Sequence, residues 1–201
     1  MGRMGRMARI SESLVRGERM KIIIMSDNHG QKIALQKVIE HYQSESDVRF
    51  IHCGDSEFPY EDEVFQDCLR VTGNCDYDTN YPEVEVFEEG GIRFLVTHGH
   101  MQSVNSGVYR LAKFAKEQGA QVAFYGHTHK LYEETYDGVL CINSGSVSYP
   151  RGHFAMTPTY AVLTIHSESE IELQYFDMKH HPLEGLHYKY HLDAERGFIH
   201  D

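Results

Sequence analysis

Short apolar runs along this chain end repeatedly in aspartate, asparagine or histidine, and this repetition constrains the fold more than any other feature. Lys21–Met25 is a nearly all-apolar run, typical of a strand covered on both faces, and Asp27 and His29 follow it directly. Arg49–His52 predicts a second strand, which ends at Asp55. Open α/β sheets gather such strand ends at one rim, where their sites lie. The chain therefore predicts polar side chains from several strands at one sheet edge.

The remaining pattern predicts one α/β domain with more strands than helices. One amphipathic helix is indicated by an apolar face of Ala34, Leu35, Val38, Ile39 and Tyr42. A second is indicated by Val108, Leu111, Ala112 and Ala115. Further strands are predicted at Cys68–Thr72, Glu83–Phe87, Ile92–Thr97, Val122–Tyr125, Val139–Asn143, Tyr160–His166 and Ile171–Phe176. We find no linker or internal repeat that would divide the chain into two domains.

Five of these strand ends carry side chains that can bind a metal ion. They supply Asp27 and His29, then Asp55, Asn74 and His98, and finally His127 and His129. Each residue alone has an ordinary structural explanation, such as a helix cap for Asp27 or a turn for Asp55. Together they form an oxygen and nitrogen ligand set without thiolate, which suits Mn, Fe, Co, Ni or Zn. Seven ligands are too many for one tetrahedral ion and favour two ions that share a carboxylate.

Charge and composition exclude several function classes. The net charge is −11, which disfavours a stable complex with a nucleic-acid backbone. No apolar stretch approaches the roughly 20 residues that span a bilayer, so no membrane partner is expected. The four cysteines (Cys53, Cys68, Cys75 and Cys141) lack the paired spacing of a zinc site, and free thiols in a reducing cytoplasm are predicted.

Both ends of the chain differ from its middle. Residues 1–19 hold five arginines, Glu12, Glu18 and no apolar segment, and are predicted to be a leader or disordered tail, with Met20 as the natural start. One folded domain is predicted over residues 20–180. Residues 181–201 are expected to be a solvated or loosely packed tail, on the domain or trailing from it. The alternative for the histidine-rich end (His180, His181, His187, His191 and His200) is adventitious metal binding.

The strand-end motifs resemble those of the calcineurin-like metallophosphoesterases, and most of all the small bacterial and archaeal phosphodiesterase branch. The order and spacing match in Ser-Asp27-Asn-His29-Gly, Gly-Asp55, Gly-Asn74-Cys-Asp76, Thr-His98-Gly-His100 and Gly-His127-Thr-His129. Asn143–Ser146 resembles the branch's Asn-Pro-Gly-Ser element, with Ser144 in place of proline. The resemblance covers about residues 20–180 and implies an α/β (α+β) fold, a four-layer sandwich of two mixed β-sheets flanked by helices.

The resemblance also implies a mechanism. Asp27, His29 and His129 would hold one divalent ion, and Asn74, His98 and His127 the other. Asp55 would bridge the two ions, for which we expect Mn²⁺, with Ni²⁺, Fe²⁺, Co²⁺ or Zn²⁺ as alternatives. A hydroxide between the ions would attack a small phosphate diester, with Asn74, His98 and His100 as catalytic residues.

Details near these motifs sharpen the expectation. Cys75 stands where many relatives have a histidine that protonates the leaving group. Here the proton would come from His100 or from water, or the group would leave unprotonated. Substrates with more acidic leaving groups should therefore react faster. We expect Cys75 and His52 to be structural. Asp76 is expected to orient a ligand. The acidic stretch Glu57, Glu61, Asp62, Glu63 and Asp67 is expected to be a solvated face, or a rim that disfavours polyanions.

Three other functions stay open from sequence. A monoester phosphatase or a nuclease of the same family would use the same ligands, although the acidic charge weakens the nuclease. A retromer subunit uses this fold as a protein-binding scaffold, but a scaffold has no need of a complete ligand set. The expected partner is a small phosphate ester, and self-association into a homo-oligomer is also open.

Overall fold

Two mixed β-sheets pack face to face in the structure, a computed structural model that describes residues 19–200. The first part of the chain holds β1 (Met20–Met25), α1 (Lys32–Tyr42), β2 (Val48–His52), β3 (Cys68–Arg70), β4 (Val84–Glu89) and β5 (Ile92–Thr97). The second part holds α2 (Tyr109–Glu117), β6 (Val122–Tyr125), β7 (Leu131–Tyr136), β8 (Val139–Ser144), β9 (Thr159–Ser167), β10 (Glu170–Asp177), β11 (Pro182–Asp193) and β12 (Gly197–His200). The prediction for residues 1–19 lies outside the described residues, except at Arg19.

The larger sheet has the strand order β12-β11-β10-β9-β1-β2-β3, and the smaller one β4-β5-β6-β8-β7. In the larger sheet β1, β2 and β3 are parallel, and the remaining neighbours are antiparallel. In the smaller sheet β5, β6 and β8 are parallel. Because parallel strands end at the same edge, the loops after β1, β2, β3, β5 and β6 can meet.

The core divides into three layers of apolar side chains. The layer between the sheets is the largest and includes Ile22, Ile24, Phe94, Phe124 and Leu163, all fully buried. A second cluster joins α1 to the outer face of the larger sheet, and a third joins α2 to the outer face of the smaller one. The order of layers is therefore helix, sheet, sheet, helix, which confirms the predicted fold class.

Most predicted elements are present, and the differences lie at edges. β3 ends at Arg70 rather than Thr72, and β7 forms where no strand was predicted. Between residues 182 and 200, β11 and β12 extend the larger sheet, so this segment lies on the domain and is not the solvated or loosely packed tail that was also expected. Tyr190 and Phe198 from these strands are buried in the core between the sheets. No helix in the described part of the chain is long and apolar enough to cross a membrane.

Candidate metal centre

The seven predicted ligand residues form one continuous chain of side-chain contacts. His29 Nε2 lies 3.1 Å from His129 Nε2, and His129 Nε2 lies 3.3 Å from Asp27 Oδ1. At the other end, Asn74 Oδ1 lies 3.1 Å from His98 Nε2 and 2.8 Å from His127 Nδ1.

Asp55 joins the two ends of this chain. Its Oδ2 lies 3.8 Å from His29 Nε2 and 3.3 Å from His98 Nε2. Its other oxygen, Oδ1, accepts a hydrogen bond of 2.8 Å from the Cys75 backbone N–H. One carboxylate oxygen of Asp55 therefore faces both halves of the cluster, which is the position that a bridging ligand needs.

The opposed imidazole nitrogens fit a cation. His29 Nδ1 lies 2.7 Å from the Glu57 carboxylate, and His129 Nδ1 lies 2.7 Å from the Tyr149 carbonyl. Because these oxygens only accept, they select the tautomer with the proton on Nδ1, in which each Nε2 presents a bare lone pair. The two lone pairs face each other beside Asp27 Oδ1, a buried oxygen to which residues 19–200 offer no hydrogen-bond partner. A divalent ion satisfies all three atoms at once.

The second half of the cluster is built in a similar way. His98 Nδ1 donates to the Cys53 carbonyl at 2.7 Å, so Nε2 is the nitrogen that faces Asn74 and Asp55. His127 faces Asn74 through Nδ1, and its Nε2 lies 2.9 Å from the Asn105 side-chain amide. Rotating the Asn105 amide by a half-turn exchanges its nitrogen and oxygen, and the oxygen then accepts a hydrogen bond from His127 Nε2. In that arrangement Nδ1 carries no proton and can bind a metal ion through its lone pair.

Burial and charge shift the pKa values of these groups in different directions. Burial raises the pKa of Asp27 to about 6, because the carboxylate is removed from water without a permanent cation beside it. For Asp55 burial acts in the same direction, but the hydrogen bond and charge of His98 outweigh it and hold the pKa well below the usual range. Burial lowers the pKa values of His127 and His129, so both rings are neutral and able to bind a metal near pH 7.

Five of the seven residues have left-handed backbone conformations. Their φ values are 56° at Asp27, 43° at His29, 55° at Asp55, 65° at His127 and 58° at His129. Residues other than glycine rarely adopt this region, and such strain concentrates at functional sites. The left-handed residues occur in the loops after β1, β2 and β6, where they turn the backbone away from the strand direction.

Two glycines of the motifs allow this close approach of backbone to carboxylate. A Cβ atom on Gly73 would overlap Oδ1 of Asp55, and one on Gly126 would overlap Ser26 Oγ. A side chain at position 73 would push the loops apart, because Asp55 Oδ1 is itself held by the hydrogen bond from the Cys75 backbone N–H. A Cβ at position 126 would also lie 2.7 Å from Asp27 Oδ2.

Asp76 organises the loop after β2, and the candidate ligand that it orients is Asp55. Its carboxylate accepts hydrogen bonds from the backbone N–H groups of Asp55, Ser56, Glu57 and Gly73 at 2.7–2.9 Å. Ionised carboxylates form strong bonds with backbone donors. Asp76 therefore fixes the left-handed turn from which the Asp55 side chain extends.

The Asn143–Ser146 element holds the loops from the opposite side. Asn143 Nδ2 donates to the Gly126 carbonyl at 2.7 Å, beneath the loop that carries His127. Ser146 Oγ donates to the Asp27 carbonyl at 2.8 Å. This element, recognised by resemblance alone, thus connects the β8 end to both of the neighbouring ligand loops.

The remaining candidates lie around the cluster. The ring of His100 is 5.4 Å from that of His98, and burial lowers the pKa of His100. Its Nδ1 is buried and has no hydrogen-bond partner in the described part of the chain. The Cys75 sulfur lies within 4.8 Å of ligand atoms of His29 and Asp55. Cys75 belongs to none of the three hydrophobic clusters of the described residues, although a structural role was expected for it. His52 is fully buried behind the loops and contacts Phe65, in agreement with a structural role.

Sequence reasoning missed the residues that orient the imidazoles. Glu57 was expected to belong to a solvated face, but its carboxylate contacts His29. The carbonyls of Cys53 and Tyr149 could not be found from sequence, because every residue carries the same carbonyl. Asn105 had no signal either, since it lies in a short 3₁₀ turn, Val104–Ser106, with no motif around it.

A model of the calcineurin-like phosphoesterase superfamily domain matches residues 20–168, which include the whole cluster. The chain belongs to this superfamily. It is therefore a metal-dependent phosphoester hydrolase, and the sequence-based identification of the family is confirmed.

Several members of the superfamily are similar to this chain over most of their length. A probable metallophosphoesterase of Bacillus subtilis, YsnB, is 32% identical over 83% of this chain and 96% of its own. The phosphodiesterase MJ0936 of Methanocaldococcus jannaschii is 30% identical over 72% of this chain and 92% of its own. A predicted phosphoesterase of Streptococcus pneumoniae, solved by crystallography, is 31% identical and superposes with a TM-score of 0.80, covering 86% of this chain and 98% of that one.

The same fold also occurs in Vps29. A crystal structure of Vps29 from Entamoeba histolytica, complexed with Zn²⁺, has a TM-score of 0.64 and covers 90% of this chain and 99% of that one. The sequence identity is 17%, so this likeness concerns the fold alone.

Proposed function

We propose that this superfamily member is a phosphodiesterase that binds two divalent ions and hydrolyses a small phosphate diester. The observation that carries the proposal is the arrangement around Asp55, whose Oδ2 faces His29 in one half of the cluster and His98 in the other. The name of the 30% identical relative MJ0936 supports the diesterase over a monoester phosphatase. The ions supply Lewis acidity and a water of lowered pKa, with Mn²⁺ as the preferred metal.

The side chains divide the work between binding and orientation. Asp27, His29 and His129 hold one ion, Asn74, His98 and His127 hold the other, and Asp55 contacts both. Glu57 and the carbonyls of Cys53 and Tyr149 fix which nitrogen of each ring is free to bind. Fixing the rings in advance reduces the reorganisation that charge development in the transition state would otherwise require.

Three residues are assigned to the reacting edge of the cluster. Asn74 and His98, whose side chains lie 3.1 Å apart, are assigned to stabilise charge on the phosphoryl oxygens. His100 extends from the same β5 loop as His98 and is the candidate that contacts the leaving group. Because cysteine stands at position 75, where many relatives have a histidine, rates should rise as the leaving group becomes more acidic.

Metal-dependent turnover is the test of this function. The protein is stripped with a chelator, reloaded with Mn²⁺, and assayed on an aryl phosphodiester, an aryl phosphomonoester and single-stranded DNA. We expect diester hydrolysis that returns with Mn²⁺ and falls at least about 1,000-fold in Asp55→Asn and His98→Ala. His181→Ala, an exposed histidine far from the motifs in sequence, is the matched control and should retain full activity.

The alternatives give different results in the same assay. Hydrolysis of the monoester alone would indicate a phosphatase, and cleavage of DNA alone a nuclease. A folded, metal-loaded protein that hydrolyses none of the three would favour a scaffold. Metal binding by itself does not separate scaffold from enzyme, since a Vps29 also binds Zn²⁺.

A further inference from the structure

The segment Ser148–Arg151, which follows the Asn143–Ser146 element, is attached directly to the metal centre. The Tyr149 carbonyl accepts a hydrogen bond of 2.7 Å from His129 Nδ1. Two residues on, the Arg151 backbone N–H donates to the His129 carbonyl at 2.9 Å. The Tyr149 backbone N–H donates to Ser146 Oγ at 2.7 Å. Because these bonds hold the backbone on both sides of His129, the side chains of residues 149 and 151 have fixed starting points beside the cluster.

Tyr149 presents an exposed ring at the edge of the centre. Its centroid is 5.8 Å from that of His29, and 47% of the residue is accessible to solvent. Its hydroxyl accepts a hydrogen bond of 3.1 Å from Gln31 Nε2, so the ring has a partner at its far end. An anchored aromatic ring that remains exposed next to a reaction site offers a face for another planar group.

Arg151 supplies a positive charge in the same place. Its side chain is exposed and forms no salt bridge with any acidic group in residues 19–200. Its backbone N–H is hydrogen-bonded to the carbonyl of the candidate ligand His129 at 2.9 Å, so this cation begins beside the cluster, in a protein whose net charge is −11.

We propose that Tyr149 and Arg151 form the substrate-recognition site, in which Arg151 binds the anionic phosphoryl oxygens and Tyr149 stacks on a planar aromatic substituent of the diester. This inference rests on the proposed phosphodiesterase function. A diester carries a second substituent besides the leaving group, and that substituent has to lie outside the ring of metal ligands. The substrate class is an aryl or nucleoside phosphodiester, since both present a flat π-face to the ring.

Three substrates with one common leaving group isolate the second substituent. All are p-nitrophenyl phosphodiesters, and the second substituent is p-nitrophenyl, thymidine or methyl. In Tyr149→Leu we expect KM to rise roughly 10-fold for the aryl and nucleoside esters, with less than about a 2-fold change for the methyl ester and for kcat. Tyr149→Phe keeps the ring and should retain the parent KM values.

Arg151 is tested with the same substrates. Arg151→Met should raise KM roughly 10-fold or more for all three, because each carries the same anionic phosphodiester. The matched controls are Tyr136→Leu, an exposed tyrosine on β7, and Lys113→Met, an exposed cation on α2. Bound metal and thermal midpoint, measured for each variant, should equal those of the parent protein.

Particular results would overturn the inference. An unchanged ratio of aryl to methyl KM in Tyr149→Leu would exclude stacking, and an unchanged KM for the methyl ester in Arg151→Met would exclude the phosphate contact. A loss confined to the aryl ester would support stacking and exclude the nucleoside as the substituent. If the metal-loaded parent hydrolyses none of the three esters, the phosphodiesterase proposal itself fails, which is a separate outcome from altered KM ratios.

Discussion

Among the four histidines of the cluster, His127 has the weakest external support. The distal nitrogens of His29, His98 and His129 each face a carboxylate or carbonyl oxygen at 2.7 Å. His127 alone faces an amide, that of the exposed residue Asn105, at 2.9 Å. The orientation of this ring therefore depends on a side chain that a substitution can remove without disturbing the backbone.

Removal of the Asn105 amide should weaken metal binding at this end of the cluster. Asn105→Leu is expected to lower the affinity for the weaker-bound ion about 10- to 100-fold, as loss of such an outer contact does elsewhere. Asn105→Asp restores an acceptor and should recover most of that loss. Competition with a chromophoric chelator measures both, and Asn80→Leu, in another exposed turn, is the control. Parental affinity in Asn105→Leu would contradict the role of Asn105 in orienting His127.

His52 links stability to pH. Burial lowers its pKa from 6.5 to about 4, so the folded protein takes up this proton less readily than the unfolded chain. The stabilisation is complete above pH 6.5 and is lost as the pH falls toward 4, by about 3 kcal/mol in total. His52→Gln should remove this part of the acid sensitivity.

Urea unfolding of the chelator-treated protein at pH 7 and pH 4.5 measures the effect. Chelation is necessary because acid also releases metal ions. The free energy of unfolding should fall less between the two pH values in His52→Gln than in the parent, while the exposed His181→Gln behaves as the parent. An equal decrease in the free energy of unfolding in all three proteins would show that His52 does not contribute to the pH dependence of stability.

At the scale of elements, strands that end at the site could be predicted and strands at the sheet edges could not. β1, β2, β5 and β6 are short apolar runs bounded by polar loops, because sheets cover them on both faces. β11 has an alternating set instead, Leu186, Tyr188, Tyr190 and Leu192, interrupted by histidines and lysine on the solvent face. That alternation is the pattern of a half-buried strand, but the polar residues between obscured it.

The candidate ligands were predictable because side-chain chemistry and loop position coincide in the sequence. All seven lie within the short loops that follow predicted strands, and the structure brings all seven together. Their supporting contacts were less accessible, because backbone carbonyls and an amide from a distant turn depend on tertiary packing.

The terminal strand β12 should contribute a measurable part of the core. Phe198 is fully buried between the sheets, while its neighbour Ile199 is only partly buried. Phe198→Ala is expected to reduce the free energy of unfolding by about 3–5 kcal/mol, and Ile199→Ala by about 1 kcal/mol. Urea denaturation compares them, and equal small effects would mean that β12 does not pack as described.

At the scale of the whole molecule, the cluster joins the two sheets. Asp27, Asp55 and Asn74 follow strands of the larger sheet, whereas His98 and His127 follow strands of the smaller one. An ion bound by both sets therefore adds its binding free energy to the contact between sheets and favours the folded state.

Chelation should accordingly lower the thermal midpoint. An ion present at about 1,000 times its dissociation constant stabilises the fold by about 4 kcal/mol, or roughly 8–16 °C for a chain of this size. Differential scanning calorimetry with and without a chelator measures the difference. Asp55→Asn should respond much less, and an unchanged midpoint in the parent protein would contradict ligands shared between the sheets.

The left-handed loops have a consequence for protein design. Five of the seven side chains start from backbone that regular strands do not contain, and strand positions direct side chains away from the sheet faces instead of along its rim. A designer who grafts only these seven residue types onto an idealised sheet would place the ligand atoms too far apart to bind the same ions. The transferable unit is the loop with its glycines, and the side chains are one part of it.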